Sequence, residues 1–167
     1  QVFGLINGVV ISYLSVPAFI GTLGMQMIVY GIAQVVTNNV PIGGYRADYT
    51  AVTQGKIGGV FPLLFLYLII AATIFWFVYN YTRHGKYMYA IGGNPQAAEV
   101  AGVPVKKTLI LIYMKAAAMY GLAGFMLGAK AGGASVNLGY GYEMEAIAAC
   151  TIGGVSAVSY THLTLPT

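Results

Sequence analysis

The chain has 167 residues, of which 58% are hydrophobic and only 7% are charged, eight Lys/Arg against four Asp/Glu. Soluble domains carry about 25% charged residues, so this composition excludes an ordinary water-soluble enzyme, a disordered segment and a coiled coil. The net charge of +4 does not mark a nucleic-acid binder, because the basic residues lie scattered between apolar runs. The single cysteine, Cys150, leaves no internal disulfide and no multi-cysteine metal site. The reading is an all-α, polytopic transmembrane bundle with lipid as its main solvent.

No charge precedes Arg46, a run long enough for two crossings at about 20 residues each. The run opens at Gln1 without a signal peptide, and the chain is expected to begin within a longer protein. Ser15-Val16-Pro17 divides the run into a helix near 2–12 and a span near 17–36. Pro17 suits the first turn, where its missing N–H would be unpaired anyway. Residues 37–59 hold Asn38-Asn39, Pro41, Gly43-Gly44 and Gly58-Gly59 and read as a loop outside the hydrocarbon. The span near 60–81 carries no charge and ends in Trp76, Tyr79 and Tyr81, as an aromatic belt does.

Residues 82–107 are the most polar stretch. They hold Arg83, Lys86, Lys106 and Lys107, against Arg46 and Lys56 in the earlier loop. The positive-inside bias therefore places 82–107 in the cytoplasm and 37–59 on the far side. The span near 108–129 is interrupted only by Lys115, about 10 Å in. Such a charge either lines a pathway or snorkels back to the headgroups. A Gly-rich loop leads to the run near 143–156. Its opening Glu143 and Glu145 suit the positive end of a helix.

Helices in lipid associate by close approach at small residues. Ala117, Gly121, Gly124 and Gly128 recur at three- and four-residue steps on one face of their span, and Gly4 and Gly8 make a shorter pair.

Within the polar stretch, Asn94 is a good N-cap, Pro95 suits the first helical position, and Gly102 before Pro104 suits a left-handed C-terminal cap. The spacing predicts a two-turn helix set between Gly92-Gly93 and Gly102. Ala97, Ala98 and Ala101 would give it a small-residue surface beside Glu99. That helix is either a solvated connector or a docking element for a cytoplasmic partner. The sequence contains no phosphate-binding G-x-x-x-x-G-K-[ST] loop and no metal-ligand spacing. The chain is expected to bind no cofactor, and any ATP that drives it belongs to another subunit.

Several segments resemble the permease subunits of bacterial ABC importers for monosaccharides, the ribose/galactose/xylose group. They are Leu5-Ile6-Asn7-Gly8, Val16-Pro17-Ala18-Phe19-Ile20-Gly21-Thr22-Leu23-Gly24, Thr82-Arg83-His84-Gly85-Lys86, Ala90 through Ala98, and Tyr142 through Cys150 with Ile152-Gly153-Gly154-Val155-Ser156. Asn137-Leu138-Gly139-Tyr140 and Ala148-Ala149-Cys150 look most like the galactose/methyl galactoside members. The resemblance implies a homodimeric transmembrane subunit serving a cytoplasmic ATP-binding subunit and a periplasmic sugar-binding protein. It also implies that Gly92, Gly93, Asn94, Ala97, Ala98, Glu99 and Gly102 form the ATPase-coupling loop.

Sugar pathways need hydrogen-bonding groups and aromatic faces. Asn7, Thr22, Gln26, Asn137 and Tyr140 are the candidates. Family members are about twice as long, so residues 1–156 are expected to be a partial permease domain. Residues 157–167 depart from the pattern and are expected to be a non-native tail. Three other readings stay open: a permease for branched-chain amino acids or nucleosides, an ion-coupled secondary transporter, and a purely structural membrane scaffold.

Overall fold

The computed structural model describes residues 1–57 and 61–154. Its helices in chain order are α1 (Val2–Tyr13), α2 (Ala18–Thr37), α3 (Ala47–Gln54), α4 (Leu63–Tyr81), α5 (Arg83–Gly93), α6 (Pro95–Val100), α7 (Val105–Ala131) and α8 (Tyr142–Ile152). Four two-residue strands, β1 (Ile42–Gly43), β2 (Lys56–Ile57), β3 (Phe61–Pro62) and β4 (Gly133–Ala134), pair antiparallel as β1–β4 and β2–β3. The chain divides into two compact units, Gln1–Val136 and Asn137–Thr167.

The first unit is a helical membrane bundle. Its α2, α4 and α7, of 20, 19 and 27 residues, are long and apolar enough to cross a membrane. They correspond to the spans expected near 17–36, 60–81 and 108–129. Pro17 stands one step earlier than expected, as the N-cap residue of α2. The helix α7 begins at Val105 and takes Lys106 and Lys107 into its first turn.

Among the described apolar residues only Ile91, Ala98 and Ala129 are buried. All three sit at the ends of the bundle, none in the middle of a span. That distribution suits a molecule whose mid-section meets lipid, where an apolar side chain gains nothing by hiding.

The exception to this open mid-section is the pair α1 and α7, the most extensive helix contact. Gly4, Gly8 and Ser12, at four-residue steps, form the buried face of α1. A Cβ on Gly8 would lie 2.9 Å from the Cα of Ile110, and one on Gly4 would strike the Cβ of Ala117. The two helices run antiparallel, since Gly4 meets Ala117 while Gly8 meets Ile110. At the far end of α1, the Lys106 ammonium lies 5.0 Å from the centre of the Tyr13 ring. The expected α7 stripe is divided in use. Ala117 seats Gly4, Gly128 lies against α3, and Gly121 and Gly124 meet nothing within 4 Å.

Each polar loop holds one helix that the sequence reading left out, α3 in the first and α5 in the second. In the first, α3 lies against the last turns of α7 and the start of α4. The Tyr49 hydroxyl donates to the Phe125 carbonyl at 2.6 Å, and Gln54 Nε2 donates to the Lys130 carbonyl at 3.2 Å. The Tyr49 ring packs edge-on against Tyr45 and Phe125, and Thr53 and Ala129 are buried at this end. Removing the hydroxyl in Tyr49→Phe is expected to loosen α3 by about 1 kcal/mol, the net worth of one hydrogen bond. Faster protease cleavage within residues 46–55 is the readout. Strands β1 and β4 tie the same end together through Ile42↔Ala134 and Gly43↔Gly133.

In the second unit, α8 starts at Tyr142 with Glu143 and Glu145 in its first turn, where the helix dipole favours negative charge. The Glu143 carboxylate also accepts the Gly141 N–H at 3.0 Å. The part of the fifth run beyond Gly154, and the tail expected at 157–167, lie outside the described residues.

Candidate functional site: a capped helix between two spans

The polar stretch between α4 and α7 is a built module. Asn94 does what its position predicts: its Oδ1 accepts the N–H groups of Gln96 and Ala97, each at 3.0 Å, with Pro95 at the first helical position. Gly102 adopts φ +82, the left-handed region. From there the Gly102 N–H donates to the Glu99 carbonyl and the Val103 N–H to the Ala98 carbonyl, both at 3.0 Å. These two bonds complete a Schellman turn. A six-residue helix has no stability of its own in water, so these caps and its packing keep α6 helical.

Gly92 and Gly93 are the last residues of α5 and are helical. One expectation about this module needs correction. Ala98 is 4% exposed and packs inward, so it does not belong to the presented surface. The physical reason is rotation: on so short a helix, only one of the small residues can face the rest of the module, and the sequence does not say which. From Pro95 to Ala101 every residue but Ala98 is exposed, Ala97, Glu99, Val100 and Ala101 among them. Val100 is 91% exposed and escaped the sequence reading. An apolar side chain inside a doubly capped polar-loop helix was the available clue.

The module is seated by Ile91 and Ala98, and by Thr108, which is 2% exposed and donates back to the Pro104 carbonyl at 2.9 Å. On α5, His84 Nε2 is buried without a hydrogen-bond partner. Burial first, and the Lys115 charge second, hold the His84 pKa below its ordinary value. Lys115 itself is exposed.

The pathway candidates belong to different elements. Asn7, on α1, has its Oδ1 buried without a hydrogen-bond partner. The Thr22 hydroxyl is taken up by its own helix, donating to the Ala18 and Phe19 carbonyls at 2.9 and 3.1 Å. Gln26 lies one turn further along α2 and is half-buried. Asn137 and Tyr140 belong to the second unit, where the Asn137 carbonyl accepts the Tyr140 N–H at 3.1 Å. Tyr140 is 71% exposed. Among the described residues no group of His, Cys, Asp and Glu could hold a metal ion.

Comparison with known proteins bears on the whole chain. The family model "Branched-chain amino acid transport system / permease component" matches residues 1–163, past the point where the tail was expected to begin. The chain is similar to the galactose/methyl galactoside import permease proteins of Haemophilus influenzae and of Escherichia coli K12. It is 44% identical to each over 161 residues, covering 93% of this chain and 48% of the relative. It is also similar to the ribose import permease protein of Escherichia coli K12, 34% identical over 158 residues, covering 92% of this chain and 49% of the relative. The chain therefore spans about half the length of the curated relatives it matches. No solved structure matches it.

Proposed function

Because the chain belongs to the family of branched-chain amino acid transport system permease components, we propose that it forms the translocation pathway of an ATP-driven sugar importer, with galactose and methyl galactosides as the substrate class. One observation carries the choice of substrate: 44% identity, over 93% of the chain, to import permeases named for those sugars. ATP hydrolysis then belongs to a separate cytoplasmic subunit, a periplasmic binding protein delivers the sugar, and a second copy of the permease completes the pathway. The chain itself binds no cofactor in this scheme.

Sidedness follows the charges. The module carries Arg83 and Lys86 and runs into Lys106 and Lys107, so it faces the cytoplasm of the bacterial inner membrane. The antiparallel α1 and α7, and the β1–β4 pairing at the opposite end, are consistent with that alternation. The exposed face of α6 is then where the ATP-binding subunit seats. Ala97 allows close approach, Val100 supplies apolar area and Glu99 a charge.

In liposomes holding the complete transporter with its two partner subunits, ATP is expected to drive accumulation of labelled galactose, with methyl galactoside competing. Val100→Asp, on an exposed site, is expected to leave the apparent Tm unchanged and to release the ATP-binding subunit on co-purification. Accumulation of leucine instead would favour the substrate in the family's description. Uptake driven by an ion gradient without ATP would defeat the proposal.

A further inference from the structure

The corner between α4 and α5 is made by a single residue, Thr82. Its hydroxyl donates to the Val78 carbonyl at 2.6 Å and accepts the Gly85 N–H at 3.2 Å. One side chain thus bonds the last turn of α4 to the first turn of α5. Gly85 is buried, and a Cβ there would strike the Tyr79 carbonyl oxygen and lie 2.7 Å from that of Val78. These are backbone atoms and cannot swing aside, so any side chain at this position pushes α5 off the end of α4.

The other joints of the module are equally closed. The Schellman turn ends α6, Thr108 bonds back to Pro104, and Ile91, Ala98 and Thr108 are buried. Gly92 and Gly93 lie within α5, and a Cβ on either meets nothing within 4 Å. Glycine is therefore not demanded there by space, whereas at Gly85 it is.

We propose that Thr82 and Gly85 are positioning residues for energy coupling: they clamp α5 to α4, so that α5–α6 turns as one piece and moves α4 together with α7. A push on α6 reaches a span only through joints that resist it. With the clamp intact the push arrives at two spans, and with the clamp open it is absorbed at the corner and reaches α7 alone. This rests on the importer reading, in which the ATP-binding subunit supplies the push.

The test is the number of sugars transported per ATP hydrolysed by the complete transporter in liposomes. Thr82→Val keeps the shape and loses both hydrogen bonds. It is expected to lower the ratio about thirtyfold, the scale of two lost hydrogen bonds, while the ATP-binding subunit stays bound and hydrolysis continues. Thr82→Ser is expected to restore the ratio, Gly85→Ala to lower it further, and Gly92→Ala to match the wild type.

A wild-type ratio in Thr82→Val, or an equal fall in Gly92→Ala, would overturn the clamp. If Gly85→Ala does not reach the membrane, the Thr82→Val and Thr82→Ser pair decides alone. Loss of assembly in Thr82→Val would also count against the clamp, as the mark of a purely structural role. A wild-type complex that hydrolyses no ATP would overturn the importer reading itself, and the clamp with it.

Discussion

Leucine at Gly8 is expected to unseat α1 from α7 and to be among the most damaging single substitutions in the membrane-spanning part. A Cβ alone would stand 2.9 Å from the Cα of Ile110, and the branched carbons beyond it have nowhere to go. Relief requires the helix axes to separate, which also breaks the contact of Gly4 with Ala117 and exposes the buried Ser12. Overpacking of this kind costs about 1–3 kcal/mol. No hydrophobic driving force holds the helices together in lipid to offset it. The apparent Tm of the purified protein measures the effect. Gly121→Leu and Gly24→Leu are the controls, because a Cβ at either meets nothing within 4 Å. A fall in Tm shared equally by all three would show that the α1–α7 contact is not what the glycines serve.

The second large effect is expected from opening both ends of α6 at once. Asn94→Ala removes the acceptor for two N–H groups and costs about 1 kcal/mol. Gly102→Val places a β-branched residue at φ +82 and costs about 1–2 kcal/mol or more. Six residues cannot carry that loss, since a helix of this length is held only by its caps and its packing. The double variant is expected to lose hydrogen-exchange protection across 96–103 while α7 keeps its own. Each single variant should show part of the effect. Retained protection in the double variant would mean that packing of Ala98 suffices without caps.

The spans and the caps were legible in the sequence because each rests on local chemistry. Charge-free runs set α2, α4 and α7, and Asn94, Pro95 and Gly102 announce α6 residue by residue. What escaped was held by contacts distant in the chain. The segment Ala47–Gln54 shows no strong apolar stripe, and it is fixed as α3 by Tyr49 reaching Phe125 and Gln54 reaching Lys130. The segment Arg83–Gly93 contains three glycines, which argue against helix one by one. The Thr82 cap and the burial of Ile91 outweigh them. The face of α6 escaped for the same reason, since Ala97 and Ala98 are alike until a neighbour covers one. The pathway candidates, chosen for hydrogen-bonding groups and aromatic faces, belong to α1, α2 and the second unit.

The seating of α1 on α7 also has a consequence for biogenesis. The ribosome adds about a hundred residues between Gly8 and Ile110, roughly 5–20 s at ordinary synthesis rates. Through that interval Gly4, Gly8 and Ser12 wait for the face of α7 that seats them. The strand pairing of Ile42 with Ala134 waits still longer. The α1–α7 contact therefore closes only after the five helices between them have been made.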